Sequence, residues 1–142
     1  MFCSFSVQAA VPVVTEGVSS DVTMDEDATP ALFSLTLNAT DADSHPLTWR
    51  ISSSAANGTA SVDTGSGASQ AINYSPTLNY NGSDTFIVEV SDGLGGITTH
   101  DVNVTINPVN DAPAITNTAN ASAPINTLYS YIPAVDDPDV GD

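Results

Sequence analysis

A chain of 142 residues with one basic and seventeen acidic side chains has a formal net charge of −16, and its hydrophobic fraction of 41% allows one modest core. This balance argues against nucleic acid and anionic membrane surfaces as partners, because both are bound by clustered Lys and Arg. No apolar run approaches the roughly 18 residues of a membrane span, and the single Cys3 allows no intrachain disulfide. A cation is the partner that this composition favours.

Strand-like patterning begins near residue 11. Residues 1–10 are apolar but have no basic segment, so a functioning secretory signal is not expected there. We interpret residues 1–10 as a leader remnant or a stray strand. Its later part, residues 5–14, faintly resembles the last strand of a preceding repeat.

Apolar and polar residues alternate with a period of two along most of the chain, and no window of ten or more residues has helical periodicity. Each alternating segment gives a strand with one buried face. The predicted strands lie at residues 21–24, 33–38, 47–52, 59–62, 70–74, 85–90 and 102–106. Seven short strands separated by Gly and Pro turns predict an all-β fold, a seven-stranded Greek-key β-sandwich.

The last two strands are predicted to be the longest, and a hairpin joins them. Asp92 to Gly96 suits the hairpin loop, because glycine adopts positive φ without steric cost. Trp49 in the third strand invites a comparison with immunoglobulin domains, although the flanking cysteine pair of those domains is missing. The core must therefore hold this sandwich together without a disulfide.

The pattern starts again after residue 113. Leu128 to Ile132, followed by aspartates, echoes Leu35 to Ala39 followed by Asp41 and Asp43. We therefore predict a cadherin-like repeat over residues 11–113 and the truncated start of a second repeat over residues 114–142. Such a short segment cannot bury a sandwich core by itself, so it needs a partner or stays mobile.

Five short segments occur in an order that resembles the tandem cadherin-like repeats of giant bacterial adhesins, the RTX-adhesin type included. These segments are Asp25-Glu26-Asp27-Ala28-Thr29-Pro30, Ala39-Thr40-Asp41-Ala42-Asp43, Asn79-Tyr80-Asn81-Gly82-Ser83-Asp84-Thr85-Phe86, Val90-Ser91-Asp92-Gly93-Leu94-Gly95-Gly96 and Val109-Asn110-Asp111-Ala112-Pro113. The part from Ala114 resembles the start of a dystroglycan-type cadherin-like repeat. The resemblance implies a cadherin-like or immunoglobulin-like sandwich, calcium at the junctions between consecutive repeats, and a place in a secreted or cell-surface bacterial protein.

Aspartates at i and i+2 give a first calcium site. Calcium takes six to eight oxygen ligands and favours carboxylates. In an extended segment Asp41 and Asp43 lie on the same side, where they repel each other unless a cation lies between them. By the resemblance, Asp92 joins them at one end of the sandwich, and we name these three residues the upper site.

The resemblance implies a second site at the other end, between this repeat and the next. We name it the junction site, and its predicted ligands are Glu26, Asn110, Asp111, Asp137 and Asp139. Calcium bound by both repeats would tie their like charges together and stiffen the rod. With ligands shared between domains and a linker, we expect a dissociation constant on the order of 10⁻⁴ to 10⁻³ M.

The chain departs from the family at two places. Where the family has Gly-Asp after the Asp-x-Asp pair, this chain has Ser44-His45, which removes one carboxylate near the upper site. Where cadherins have an Asp-x-Glu pair, this chain has the amides Asn79 and Asn81. Both changes predict weaker calcium binding, because neither replacement carries a negative charge. Asp84 is interpreted as the cap of the turn that precedes it, and not as a ligand.

The sequence does not predict an enzyme. His45 and His100 could belong to a Ser-His-Asp triad, but no Gly-x-Ser-x-Gly elbow is present. We interpret His100 as a satisfied strand residue and His45 as a loop residue, and neither has metal-ligand spacing.

Two other functions stay open. One is a carbohydrate-binding module, in which tyrosine rings would stack on sugars; the candidates are Tyr74, Tyr80, Tyr129 and Tyr131. The other is a self-assembling fibre subunit, in which neighbouring chains complete the apolar start at Phe2 to Val14 and the segment from Ala114 by strand addition. The predicted partners are therefore neighbouring repeats and, as alternatives, a carbohydrate or another cell-surface ligand.

Overall fold

The computed structural model describes residues 9–28, 32–119, 122, 125–126 and 128–139. The first eight residues of the predicted leader or stray strand lie outside this set, as do Thr29 and Pro30 of the first acidic motif. Contacts divide the chain into two compact units, one up to Pro108 and the other from Val109. The repeat boundaries at residues 10 and 113 stay predictions. The described residues contain no helix that could serve as a membrane span.

The described part of the first unit contains eight strands in two four-stranded sheets. The strands are β1 (Val13–Val14), β2 (Ser19–Asp25), β3 (Leu35–Thr40), β4 (Thr48–Ser53), β5 (Gly58–Val62), β6 (Ser69–Pro76), β7 (Gly82–Ser91) and β8 (Ile97–Asn107). One sheet has the order β1-β3-β6-β5 and the other β2-β8-β7-β4. This arrangement confirms the all-β Greek-key sandwich, which has the strand order of immunoglobulin-like folds.

The described part of the first unit has one strand more than the seven predicted, because the first strand is divided between the sheets. Val13–Val14 pairs antiparallel with the end of β3, and Ser19–Asp25 pairs parallel with β8. Gly17, with φ of 95°, lies between the two strands and allows the chain to cross from one sheet to the other. The interpretation of residues 5–14 as the last strand of a preceding repeat is therefore wrong at Val13–Val14, which belong to this sandwich.

The core lies between the sheets and follows the predicted alternation. In β8, Val102, Val104 and Ile106 are at most 2% exposed, while Asn103 and Thr105 between them face solvent. The other large side chains of the core include Met24, Leu37, Trp49, Ile72, Tyr74 and Phe86. Burying side chains of this size contributes about 1.5–3 kcal/mol each, so the core holds the sandwich together without a disulfide.

Two connections form one end of the sandwich. β7 and β8, the two longest strands as predicted, are joined by the Asp92 to Gly96 loop, in which the Asp92 N–H donates to the Gly96 carbonyl (3.1 Å). The connection from β3 to β4 reaches the same end, because Thr48 of β4 pairs with Ser91 of β7. This end therefore carries both acidic segments of the upper site.

The second unit is small and open. Its described residues contain two short antiparallel strands, β9 (Ala114–Ile115) and β10 (Val135–Asp136). The segment Leu128 to Ile132, which echoes β3 in sequence, forms no strand, and Leu128 is 94% exposed. None of the described residues of this unit is buried, so its apolar side chains form no core among themselves.

Candidate functional site

A tight turn brings the first two aspartates of the upper site together. β3 ends at Thr40, and the Asp41 carbonyl accepts a hydrogen bond from the Ser44 N–H (3.1 Å). Ser44 adopts a left-handed backbone with φ of 61°. The predicted extended segment is therefore wrong: Asp41 and Asp43 are neighbours because the chain turns here.

The Asp41 carboxylate organises this turn with one of its oxygens. Its Oδ1 accepts hydrogen bonds from the backbone N–H groups of Asp43 (2.9 Å) and His45 (3.1 Å). Asp43 in turn uses Oδ2 to accept the N–H of Ala10 (2.7 Å), which holds the chain before β1 against the loop. These bonds fix the positions of both carboxylates.

His45 belongs to the same cluster. Ligand atoms of Asp41, Asp43 and His45 all lie within 4.8 Å of one another. The His45 Nδ1 lies 3.2 Å from Asp41 Oδ1, in an orientation that makes no hydrogen bond. His45 is a loop residue between β3 and β4, as predicted. The prediction that it lacks metal-ligand spacing is wrong, because the Ser44 turn directs residue 45 back to residue 41.

Asp92 supplies the third carboxylate at this end and is 4% exposed. Its Oδ1 accepts the backbone N–H groups of Leu94 (2.7 Å) and Gly96 (2.8 Å). The bond from Leu94, opposed by burial and assisted by Gly96 and by the nearby His45, holds the pKa of Asp92 below its usual value. A side chain at residue 96 would meet Asp92 Oδ2 at 2.5 Å, so the loop needs glycine there.

The same division of oxygens occurs in Asp41 and in Asp92. In each carboxylate, Oδ1 is occupied by backbone N–H groups, whereas Oδ2 is buried and has no hydrogen-bond partner. The third buried side-chain atom without such a partner in the described part of the chain is Nδ1 of His45. Buried polar atoms of this kind are rare, because leaving them unpaired costs free energy. All three belong to one end of one domain.

Glu26 lies at the opposite end of the sandwich. It directly follows β2, is 6% exposed, and donates its N–H to the Asn107 carbonyl at the end of β8 (3.1 Å). Because β2 and β8 are parallel, this is the end away from Asp92. Glu26 does not share a site with the upper-site residues.

The other predicted junction ligands lie in the second unit. The Asp111 N–H donates to Oδ2 of Asp139 (2.5 Å), and the Asp139 N–H donates to Oδ1 of Asp137 (3.2 Å). The Asn110 side-chain amide donates to the Asp111 carbonyl (2.7 Å). These four residues are thus grouped within their own unit. The junction site, which also needs Glu26, stays a prediction.

Two of the four tyrosines proposed to stack on sugars, Tyr74 and Tyr80, make contacts within the domain. Tyr74 is 7% exposed, and its ring stacks on Phe86 with centroids 5.7 Å apart, so it cannot present a face to a ligand. The hydroxyl of Tyr80 donates to the Ser83 carbonyl (2.8 Å) and accepts from the Asn57 amide (3.0 Å). The prediction of a sugar platform is wrong for Tyr74.

His100 is a buried strand residue, as predicted from its position in β8, where it points to the same face as Val102 and Val104. Its Nδ1 lies 2.9 Å from the Gly17 carbonyl and its Nε2 lies 2.9 Å from the Ser20 hydroxyl. Since the carbonyl can only accept, Nδ1 carries a proton. Both ring nitrogens are therefore engaged in joining β8 to the crossing between β1 and β2.

Residues 9–105 match the family described as bacterial Ig domain. The chain belongs to this family. The match covers both sheets and the upper site, and it ends before the second unit. The likeness of that unit to a dystroglycan-type repeat stays a prediction. No curated protein sequence matches the chain.

Solved structures similar to this bacterial Ig domain include two endo-fucoidan hydrolases of glycoside hydrolase family 107. They share 17% and 18% identity with it, at TM-scores of 0.56 and 0.50, over 82% and 73% of this chain and 17% of each hydrolase. Extracellular cadherin domains 1–5 of protocadherin gamma B2 share 18% identity at a TM-score of 0.51, over 91% of this chain and 26% of that one. The likeness shows the sandwich fold, and the chain spans only a small part of these larger proteins.

Proposed function

We propose that this domain is a calcium-binding structural repeat of an extracellular or cell-surface bacterial protein. The observation that carries the proposal is the pair of buried Oδ2 atoms, one on Asp41 and one on Asp92, that lack hydrogen-bond partners. A buried anionic oxygen without a partner is unfavourable, and a cation with oxygen ligands would remove that cost. Asp43, fixed in the same turn, would supply a third carboxylate.

The residues suit calcium in charge and in reach. The ligand atoms of Asp41, Asp43 and His45 lie within 4.8 Å of one another, about twice a calcium–oxygen distance of ~2.4 Å, so one ion can contact the two carboxylates together. Because these carboxylates lie at one end of the sandwich, oxygens from a neighbouring repeat could complete the coordination. Bound calcium would then stiffen the connection and support a role in adhesion or in spacing other domains.

We also propose that the domain is not an enzyme. His100, one of the two histidines, is buried with both nitrogens engaged by Gly17 and Ser20, so it offers no free base. The hydrolases that share the fold correspond to this chain over 17% of their length. These features favour a structural module over a catalytic one.

Calcium titration of the full chain tests the proposal. We expect added Ca²⁺ to raise the melting temperature, reaching about 2.7 kcal/mol of stabilisation at a hundredfold excess over the dissociation constant. Asp41→Asn removes one negative charge from the cluster and should abolish most of the shift. Asp101→Asn, at an exposed position of β8, removes the same charge elsewhere and serves as the matched control.

Sodium chloride at matched ionic strength separates specific binding from screening of the net charge of −16. A melting temperature that does not respond to calcium up to ~10 mM, or that responds equally in both variants, would contradict the proposal.

A further inference from the structure

One member of the cluster does not suit calcium. His45 presents a buried Nδ1 beside the Asp41 carboxylate, at 3.2 Å from Oδ1 and without a hydrogen bond. Calcium is bound almost entirely by oxygen, whereas an imidazole nitrogen combined with carboxylates suits zinc and neighbouring transition metals. The donor set of this turn is therefore mixed.

The cluster is more than a group of acidic side chains. The Asp41 side chain is 1% exposed, and its Oδ2 has no hydrogen-bond partner. Asp92, also buried, leaves its own Oδ2 without one at the same end of the sandwich. Three buried donor atoms of two chemical kinds thus lie at one end of the fold without partners.

The spacing of the donors also suits a small ion. Two ligands of a tetrahedral zinc ion at ~2.1 Å are about 3.4 Å apart, and His45 Nδ1 and Asp41 Oδ1 are separated by 3.2 Å. Asp43 completes a set of three residues whose ligand atoms lie within 4.8 Å of one another. The N–H groups of Asp43 and His45 hold Asp41, as hydrogen bonds to ligating carboxylates do in metal sites.

We propose that Asp41, Asp43 and His45 form a mixed carboxylate–imidazole site that binds a divalent transition-metal ion of the zinc class in competition with calcium. This proposal rests on the proposed function, because calcium and the transition metal would bind to the same carboxylates, those of Asp41 and Asp43. It differs in assigning ion selectivity to His45. The alternative is that the imidazolium simply neutralises Asp41, in which case zinc has no special affinity here.

Calorimetric titration of metal-free full chain with ZnCl₂ and, separately, with CaCl₂ tests the proposal. A Cys3→Ser background removes the thiol as a zinc ligand, and His100 is retained in every variant. We expect zinc to bind with a stoichiometry of one and His45→Asp to weaken zinc binding at least tenfold. The same substitution should leave calcium affinity unchanged or increase it, because it adds a carboxylate.

Cobalt(II) provides a spectroscopic measurement of the same site. Visible absorption bands of nitrogen-ligated, low-coordinate Co²⁺ should appear in the background protein and be lost in His45→Asp. A second variant, His45→Gln, removes the ring without adding charge and should also lose them. Cooperative thermal unfolding of each variant in a chelator verifies that it is folded.

Each outcome decides one of the two proposals. Equal zinc affinity with and without His45, or calcium binding without zinc binding, overturns the mixed site and leaves the calcium proposal standing. Zinc binding that depends on His45 without any calcium binding supports the mixed site and overturns the calcium proposal. Binding of neither ion overturns both.

Discussion

Asp84 connects segments that are distant in sequence. Its carboxylate accepts hydrogen bonds from the backbone N–H groups of Ala56 (3.0 Å) and Asn57 (2.8 Å) and from the Tyr74 hydroxyl (2.8 Å). The interpretation of this residue as the cap of the preceding turn is therefore wrong. Asp84 fixes the loop before β5 against β6 and β7, which is a structural role.

Replacing Asp84 should destabilise the domain. Asp84→Ala leaves the Tyr74 hydroxyl and three backbone N–H donors without their charged acceptor. We expect a loss of at least about 3 kcal/mol in the free energy of unfolding, since hydrogen bonds to charged groups contribute about 1.5–3 kcal/mol each. Urea denaturation measures the loss. Tyr74→Phe removes one of these bonds and should cost about 1.5 kcal/mol. Asp101→Ala on the exposed face of β8 should change stability by less than about 0.5 kcal/mol. Equal effects of Asp84→Ala and Asp101→Ala would contradict the assignment.

The same carboxylate should make stability depend on pH. Burial opposes its charged form, but the hydrogen bonds from Ala56, Asn57 and Tyr74 outweigh burial and hold the pKa of Asp84 below its usual value. A group with a lowered folded-state pKa contributes stability that is present above the unfolded-state pKa of about 3.9 and is lost as pH falls through the folded-state pKa. We expect Asp84→Asn to reduce the loss of stability in acid. Urea denaturation from pH 6 to pH 2 in a chelator checks this, and parallel curves for both proteins would contradict it.

The upper site illustrates what residue spacing can and cannot predict. The acidic motifs identified Asp41, Asp43 and Asp92, and the structure places all three at one end of the sandwich. His45 was missed because its approach to Asp41 depends on the left-handed backbone of Ser44, which is unusual for a residue other than glycine. Which carboxylate oxygens remain without hydrogen-bond partners depends on loop N–H groups that no spacing reveals. Whether the site holds a metal stays a prediction.

Among the elements, long alternating strands were predictable and the shortest one was not. β7 and β8 extend the predicted segments mainly at their starts, by three and five residues, because the two strands pair with each other from Gly82 with Ile106 to Ser91 with Ile97. β1 has two residues, too few to display a period of two. It forms because Val13 and Val14 meet the end of β3, which is a contact between distant parts of the chain.

At Gly58, where β5 begins, there is no room for a side chain. A Cβ at Gly58 would lie 2.5 Å from the Tyr74 ring and 2.6 Å from the Ser75 carbonyl oxygen on the paired strand. Because the ring is packed in the core and the oxygen belongs to the backbone, neither can move freely. The close pairing of β5 with β6 therefore depends on this glycine.

Gly58→Ala should separate the two strands locally. We expect a loss of about 1–3 kcal/mol in the free energy of unfolding, the usual cost of overpacking. Thermal or urea denaturation measures it, with the exposed Ser61→Ala on the same strand as the control. A Gly58→Ala protein as stable as the wild type would show that β5 can shift away from Tyr74 without cost.

At the scale of the whole molecule, Arg50, which is the single Lys or Arg residue of the sequence, already pairs with an acidic side chain. Arg50 on β4 lies opposite Glu89 on β7, and its Nε and a terminal guanidinium nitrogen donate to the two carboxylate oxygens at 2.8 and 2.9 Å. Since the Arg50 side chain is 67% exposed, the pair contributes little stability. It does leave the remaining acidic groups without a lysine or arginine partner within the chain, so dissolved cations must balance most of the charge.

The position of Arg50 also gives the protein one trypsin-sensitive bond. With no lysine in the sequence, trypsin can cut only after Arg50, and that bond lies inside β4, an edge strand that is held to its sheet by pairing with β7. A folded chain should resist digestion, and each opening of β4 should yield the same two fragments, residues 1–50 and 51–142. When refolding is faster than cutting, the cleavage rate follows the population of the open state. Electrophoresis should therefore show that digestion accelerates with urea. The Arg50→Gln variant should not be cut at any urea concentration. Rapid cutting of the native protein would show that β4 is not held by the sheet.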